Sequence, residues 1–272
     1  MSRMSRASIN SAEIHYEATG EGNAVLFHHG MTGSTEDWAK QVPLVAGKHK
    51  AIAMDLRGQG RSSAPLRVED YSMPIFAEDI RGVLEHVGVS KACIVGHSIG
   101  GFTALEFALA HPEMVTALVL VDTSSGERGA FPGYAEFRDQ LLEIMRAKGM
   151  ATAFDFDCAN NPQRIDRYTR HPELKDYFRP KMLRTSVDGY IGATMAMANW
   201  KWLTPRLSEI TVPTIIFWGD EDAPFEKASQ VIRDGIAGAE LVVVHGSGHN
   251  PHEEKPGVFN EALMRFLDRI GW

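Results

Sequence analysis

Lys91-Ala92-Cys93-Ile94-Val95-Gly96-His97-Ser98-Ile99-Gly100-Gly101-Phe102 is the stretch on which the fold turns. Lys91 to Val95 is a short apolar run and reads as a buried strand. Phe102 to Ala110 reads as a helix, stopped by His111-Pro112. Between them, Gly96 to Gly100 fits G-x-S-x-G, which places Ser98 on a tight strand-to-helix turn. The glycines at 96 and 100 are predicted to permit that turn, because a side chain at either would strike the neighbouring strand or helix. At such a bend the serine backbone is strained, and its hydroxyl lies near the positive end of a helix dipole. A phosphate loop would end in Lys-Ser/Thr, and this segment does not. Gly58-Gln59-Gly60 begins like a dinucleotide fingerprint, but Ser63 stands where its third glycine belongs.

Outward from this turn, apolar runs recur at Ala24–Phe27, Lys50–Met54, Ala92–Val95, Ala117–Val121, Thr214–Phe217 and Leu241–Val244. They are nearly continuous rather than alternating, as in strands buried on both faces. Helical patterns occupy Ile75–Val87, Gly100–Ala110 and Pro256–Ile270. This order predicts an α/β protein with a mostly parallel sheet and helices on both faces. The alternation stops between Ser125 and Thr204, where 11 of 80 residues are Phe, Tyr or Trp, against 9% in the whole chain. An aromatic helical stretch placed after a strand end is expected to form a cap over a pocket. The predicted division is therefore a core of residues 1–124 and 205–272 interrupted by a cap at 125–204.

The 272-residue chain is 44% hydrophobic and 23% charged, with a formal net charge of -7. That composition excludes a disordered or disulfide-stapled chain and disfavours a general nucleic-acid binder. Two cysteines lack CxxC spacing, and Cys93 reads as a small core residue. No run approaches the roughly 20 apolar residues of a membrane span. No apolar run follows Arg3 and Arg6 as in a secretory signal, so the expected location is cytoplasmic, with no membrane or nucleic-acid partner. Oligomeric state is not legible.

A serine nucleophile needs a histidine base held by a carboxylate. His249 follows the run Leu241–Val244 and so lies on the same sheet edge as Ser98. His245 and His252 stand nearby, but their spacing is irregular and no metal is expected. Asp220, Glu221 and Asp222 all follow the run Thr214–Phe217, so spacing alone does not choose the acid, and Asp122 competes from the end of Ala117–Val121. For an oxyanion, the N–H of Ile99 offers one donor, and the loop His28-His29-Gly30-Met31 offers a second at Met31.

Together, His29-Gly30, Asp55-Leu56-Arg57-Gly58-Gln59-Gly60-Arg61-Ser62, Gly96 to Gly101, Gly219 to Asp222 and Gly248-His249 resemble the α/β-hydrolase superfamily over nearly the whole chain. The resemblance implies that the acid stands three positions after the glycine ending its strand, which selects Asp222. It implies a mostly structural role for Asp55 to Ser62. A serine rather than an aspartate nucleophile is unlike the family's dehalogenases and epoxide hydrolases. The chain is similar to carboxylesterases and enol-lactonases, which implies a cofactor-free hydrolase of esters or lactones with a largely apolar acyl part. A thioesterase, C–C bond hydrolase or perhydrolase would use the same groups, and a small-molecule receptor could keep them without turnover. Trp38, Met145, Met150, Trp200 and Trp202 are the expected substrate-facing side chains.

Overall fold

A computed structural model describes residues 3–126 and 131–272, with side chains described from residue 5 onward. Eight strands, β1 (Arg3–Ile9), β2 (Ala12–Thr19), β3 (Ala24–His28), β4 (Lys50–Met54), β5 (Ala92–His97), β6 (Val115–Val121), β7 (Thr214–Gly219) and β8 (Glu240–Val244), form one sheet. Their order is β1-β2-β4-β3-β5-β6-β7-β8. β1 and β2 pair antiparallel, β2 meets β4 antiparallel, and every later pairing is parallel.

The six apolar runs are all strands. Along β3, Ala24 and Leu26 enter one core and Val25 and Phe27 the other; along β5, Ala92 and Ile94 oppose Cys93 and Val95. Both faces of the central strands are thus apolar and covered, which removes the alternation seen in half-exposed strands. One core packs α2 (Met73–Val87) and α3 (Ile99–Ala110) on the sheet; the other packs α10 (Pro256–Arg269) and the short α1 (Val42–Val45). α8 (Ala223–Gly235) follows β7, and α9 (Pro251–Glu254) precedes α10. Cys93 is fully buried, and both cysteines are free.

Two findings differ from the pattern reading. The hairpin β1–β2 was not signalled. Its turn residues Asn10 and Ser11 both take positive φ, 43° and 67°, without the glycine that usually marks such a turn. β8 is also only partly covered over most of its length, as suits the sheet edge it occupies.

Between β6 and β7 run α4 (Tyr134–Asn160), α5 (Pro162–Arg170), α6 (Pro172–Arg184) and α7 (Val187–Ala198). The ends of this segment are stapled together: the Ser125 carbonyl accepts from the N–H of Leu203 at 2.7 Å and of Thr204 at 3.1 Å. Its far side is tied to the body by charge. Arg167 pairs with Glu254, Arg170 and His171 with Glu221, and the Lys181 ammonium sits 2.9 Å from Asp37 and 2.6 Å from Glu253. No described helix is long and apolar enough to cross a membrane.

Candidate active site

Parallel strands deliver their following loops to one sheet edge, and the predicted residues gather there. Ser98 stands between β5 and α3 with φ 52° and ψ −116°, a left-handed conformation that a non-glycine residue adopts only under constraint. The constraint is visible. The Ser98 N–H donates to the Val121 carbonyl at 2.9 Å, and its own carbonyl accepts from the Thr123 hydroxyl at 2.8 Å. The bend also needs close backbone approach, because a Cβ on Gly96 would lie 2.3 Å from the Gly100 carbonyl oxygen. One on Gly100 would lie 2.4 Å from that of His28.

His249 follows β8, and its Nδ1 lies 2.6 Å from Asp222 Oδ2. The carboxylate accepts, so Nδ1 carries the proton and Nε2 keeps its lone pair. Asp222 is the residue before α8, and its main-chain carbonyl accepts from the Trp218 indole N–H at 3.0 Å. The two neighbouring acids are engaged elsewhere. Asp220 accepts from His245 and the Gly246 N–H, and Glu221 from Arg170 and His171. His245 is largely exposed, and His252 is buried against Trp38, so the three nearby histidines do not converge. Burial draws the His252 imidazole down to about 4.

Among the described residues the Ser98 hydroxyl has no hydrogen-bond partner. Ser98 and His249 are joined indirectly, since the His97 Nε2–H donates to the His249 carbonyl at 2.7 Å and their rings stand 4.8 Å apart. Burial, and the neighbouring His252 and His249, hold the His97 imidazole well below its usual range, so it stays neutral. Unliganded sites often leave such hydrogen bonds long or unformed.

The Met31 N–H has no hydrogen-bond partner among the described residues, and Ile99 opens α3, where the first N–H groups point outward. Gly30 brings the loop against the bend, because a Cβ there would sit 2.5 Å from His97 Nδ1 and 3.2 Å from Ser98 Cβ. The segment Asp55 to Ser62 braces this loop. Buried Asp55 accepts from the N–H groups of Thr35 and Arg61, at 2.6 and 2.7 Å. Gln59 accepts from Thr32 N–H at 2.7 Å, and His29 Nε2 accepts from Leu56 N–H at 2.9 Å.

Asp122, the competing acid, ends β6 with φ 39° and is fully buried. Its Oδ1 accepts from the Gly219 N–H at 3.1 Å, while its Oδ2 accepts from no donor among the described residues. One oxygen from each of Asp122 and Asp222 and a His249 ring nitrogen all lie within 4.8 Å of one another.

His249, Asp222 and Met31 border a cavity of about 720 Å³. Phe137, Leu141, Leu142, Met197 and Phe225 give it an apolar lining; a charged lining comes from α5, where Arg164 pairs with Asp157 and Arg170 with Asp166 and Glu221. The Phe225 ring lies 4.9 Å from that of His249. The five expected substrate-facing side chains stand elsewhere. Trp38 is fully buried between Phe27, His252 and Phe259. Met145 and Met150 fill the core between the helices α4 to α7. Trp200 stacks on Phe102 and donates to Glu106 at 2.9 Å, and Trp202, 57% exposed, borders separate cavities. Apolarity marked them as packing residues but not which space they pack. The arginines of α5 were missed because their sequence reads as a solvated helix face.

Residues 23–256 match the family described as alpha/beta hydrolase fold. A putative carbamate hydrolase of Variovorax paradoxus is 31% identical over 268 residues, covering 94% of this chain and 97% of that protein. A 2-hydroxy-6-oxo-6-phenylhexa-2,4-dienoate hydrolase of Comamonas testosteroni is 27% identical, covering 97% and 94%. Among solved structures, a thermophilic esterase from Thermogutta terrifontis superposes with a TM-score of 0.85 at 25% identity, covering 98% of this chain and 99% of that one. A match spanning most of the sequence, on a sheet of this order, means that the chain belongs to the α/β-hydrolase family.

Proposed function

We propose that this α/β-hydrolase cleaves a carboxylic ester or lactone through an acyl-enzyme on Ser98, beneath a cap formed by residues 125–204. The observation that carries the reading is the 2.6 Å contact between His249 Nδ1 and Asp222 Oδ2 on the sheet edge that also bears the Ser98 bend. Ser98 Oγ attacks the substrate carbonyl carbon as His249 Nε2 takes its proton. Asp222 fixes the histidine tautomer and stabilises the imidazolium. The N–H groups of Ile99 and Met31 receive the tetrahedral oxyanion, and loss of one such donor typically raises the barrier by about 3 kcal/mol. The imidazolium then protonates the leaving alkoxide. His249 next activates water to attack the acyl carbon, and Ser98 leaves with its proton restored. No step needs a metal or an organic cofactor.

The apolar acyl part fits against Phe137, Leu141, Leu142 and Phe225. The charged side chains that also border the cavity favour a second reading, a polar substrate cleaved at a carbamate or C–C bond by the same groups, in keeping with the two hydrolases to which the chain is similar. The test is hydrolysis of p-nitrophenyl acetate and butyrate, with thioester, carbamate and vinylogous diketone substrates beside them. Ser98→Ala is expected to lose at least about 10³-fold in kcat on every accepted substrate. Retained turnover would overturn the mechanism, and turnover confined to carbamates or diketones would favour the second reading.

A further inference from the structure

The mechanism above uses one carboxyl group at His249, yet a second, Asp122, lies beside the pair. Asp122 hangs from β6 and Asp222 follows β7, and the two strands are neighbours in the sheet. Asp122 is fully buried, its backbone is held at a φ of 39°, and among the described residues only one of its two oxygens has a hydrogen-bond donor, the Gly219 N–H. Among the described residues the other oxygen accepts from no donor, and a carboxyl oxygen of Asp122 lies within 4.8 Å of one of Asp222 and of a His249 ring nitrogen. An ionised carboxylate so placed would be desolvated and repelled by its neighbour, a state that proteins avoid by keeping one of two such groups protonated.

We propose that Asp122 is a positioning residue for the Asp222–His249 pair: as a carboxylic acid it offers its proton toward the Asp222 carboxylate, and as a carboxylate it can take the place of Asp222. The proposal rests on the proposed roles of Ser98, Asp222 and His249. Burial, reinforced by the negative charges of Asp222 and Glu254, holds the Asp122 carboxyl well above the usual carboxylate range, in keeping with a protonated acid. Removing the Asp222 charge takes away the main repulsion. Asp122 then releases its proton to solvent, becomes the anion beside His249, and stabilises the imidazolium from the β6 side.

The experiment is a double-mutant cycle on the full chain, reading kcat and KM on an accepted ester. Asp222→Ala is the first variant, because alanine leaves room beside His249 and adds no N–H that would force the wrong tautomer. Asp122→Asn is the second, because asparagine tolerates positive φ and still accepts from the Gly219 N–H. Removing the orienting acid with no replacement costs about 10⁴-fold in kcat. With Asp122 standing by, Asp222→Ala is expected to cost only about 10²-fold, with KM within about threefold. Asp122→Asn alone is expected to cost about tenfold or less, and the double variant about 10⁴-fold, so Asp122→Asn costs more when Asp222 is absent. An equal cost of Asp122→Asn in both backgrounds would reduce Asp122 to a packing role and overturn the proposal. If Asp122→Asn does not fold, Asp122→Ser replaces it in the same cycle. Ser98→Ala and His249→Ala run alongside: full turnover in either sinks the proposed mechanism itself, whereas their inactivity with an additive cycle sinks only the role of Asp122.

Discussion

Lys181→Met removes the ammonium that joins α6 to the body while keeping a similar apolar length. The native ammonium lies 2.9 Å from Asp37 Oδ1 and 2.6 Å from Glu253 Oε1, and the three side chains are 12%, 4% and 11% exposed. One cation thus faces two carboxylates in a largely dry place, and the deeper one bears the excess. Burial and the charge of Glu253 raise the Asp37 carboxyl to about 6 even with Lys181 present. Breaking a buried pair by deleting one partner costs about 3–5 kcal/mol, because the remaining charge is stranded. At roughly 2 °C or more per kcal/mol for a chain of this size, Tm should fall by at least about 6 °C at pH 8. The cost should shrink in acid. Lys181 lowers the Asp37 value, so its removal pushes that carboxyl further up, above 6. An acid raised in the folded state keeps its proton after the unfolded chain has released its own, so stability falls as pH climbs from near 4 through 6. Each further unit of upward movement widens the gap between pH 5 and pH 8 by about 1.4 kcal/mol. Urea unfolding of both proteins at the two pH values measures it. A loss under about 1 kcal/mol at pH 8, or the same loss at both, would refute the reasoning.

Two further outcomes follow from the geometry. Ser98→Gly should stabilise the fold by about 1–3 kcal/mol in urea unfolding, because glycine adopts φ 52° and ψ −116° without side-chain strain; an unchanged or lower midpoint counts against a strained bend. Trp38→Ala should cost about 3–5 kcal/mol of stability yet leave the butyrate-to-acetate rate ratio as it was, whereas Phe225→Ala should change that ratio; the reverse result would relocate the acyl wall.

The Ser98 bend was legible because its requirements are local: two glycines at fixed offsets, a strand before and a helix after. The central strands were legible because burial on both faces leaves an unbroken apolar run. The acid was not legible from spacing, since Asp220, Glu221 and Asp222 differ only in where the chain turns after β7. One faces His245, one faces Arg170 of α5 and one reaches His249. The β1–β2 hairpin escaped because Asn10-Ser11 supplies positive φ without glycine. The cavity wall escaped for a different reason. Hydrophobic residues announce that they will be buried, but the choice among the space between α4 and α7, the sheet face and the cavity depends on long-range packing. Trp38 and Met145 are apolar in sequence yet do not border the cavity, while Arg164 and Arg167 are polar in sequence and border it.

The hydrogen bonds from Leu203 and Thr204 to the Ser125 carbonyl give the excursion between β6 and β7 a closed neck. A polypeptide loop whose two feet already touch adds little closure entropy whatever its length. Insertions in the stretch beyond that neck therefore carry little entropic cost where they spare the ion pairs of Arg167, Arg170 and Lys181 with the body.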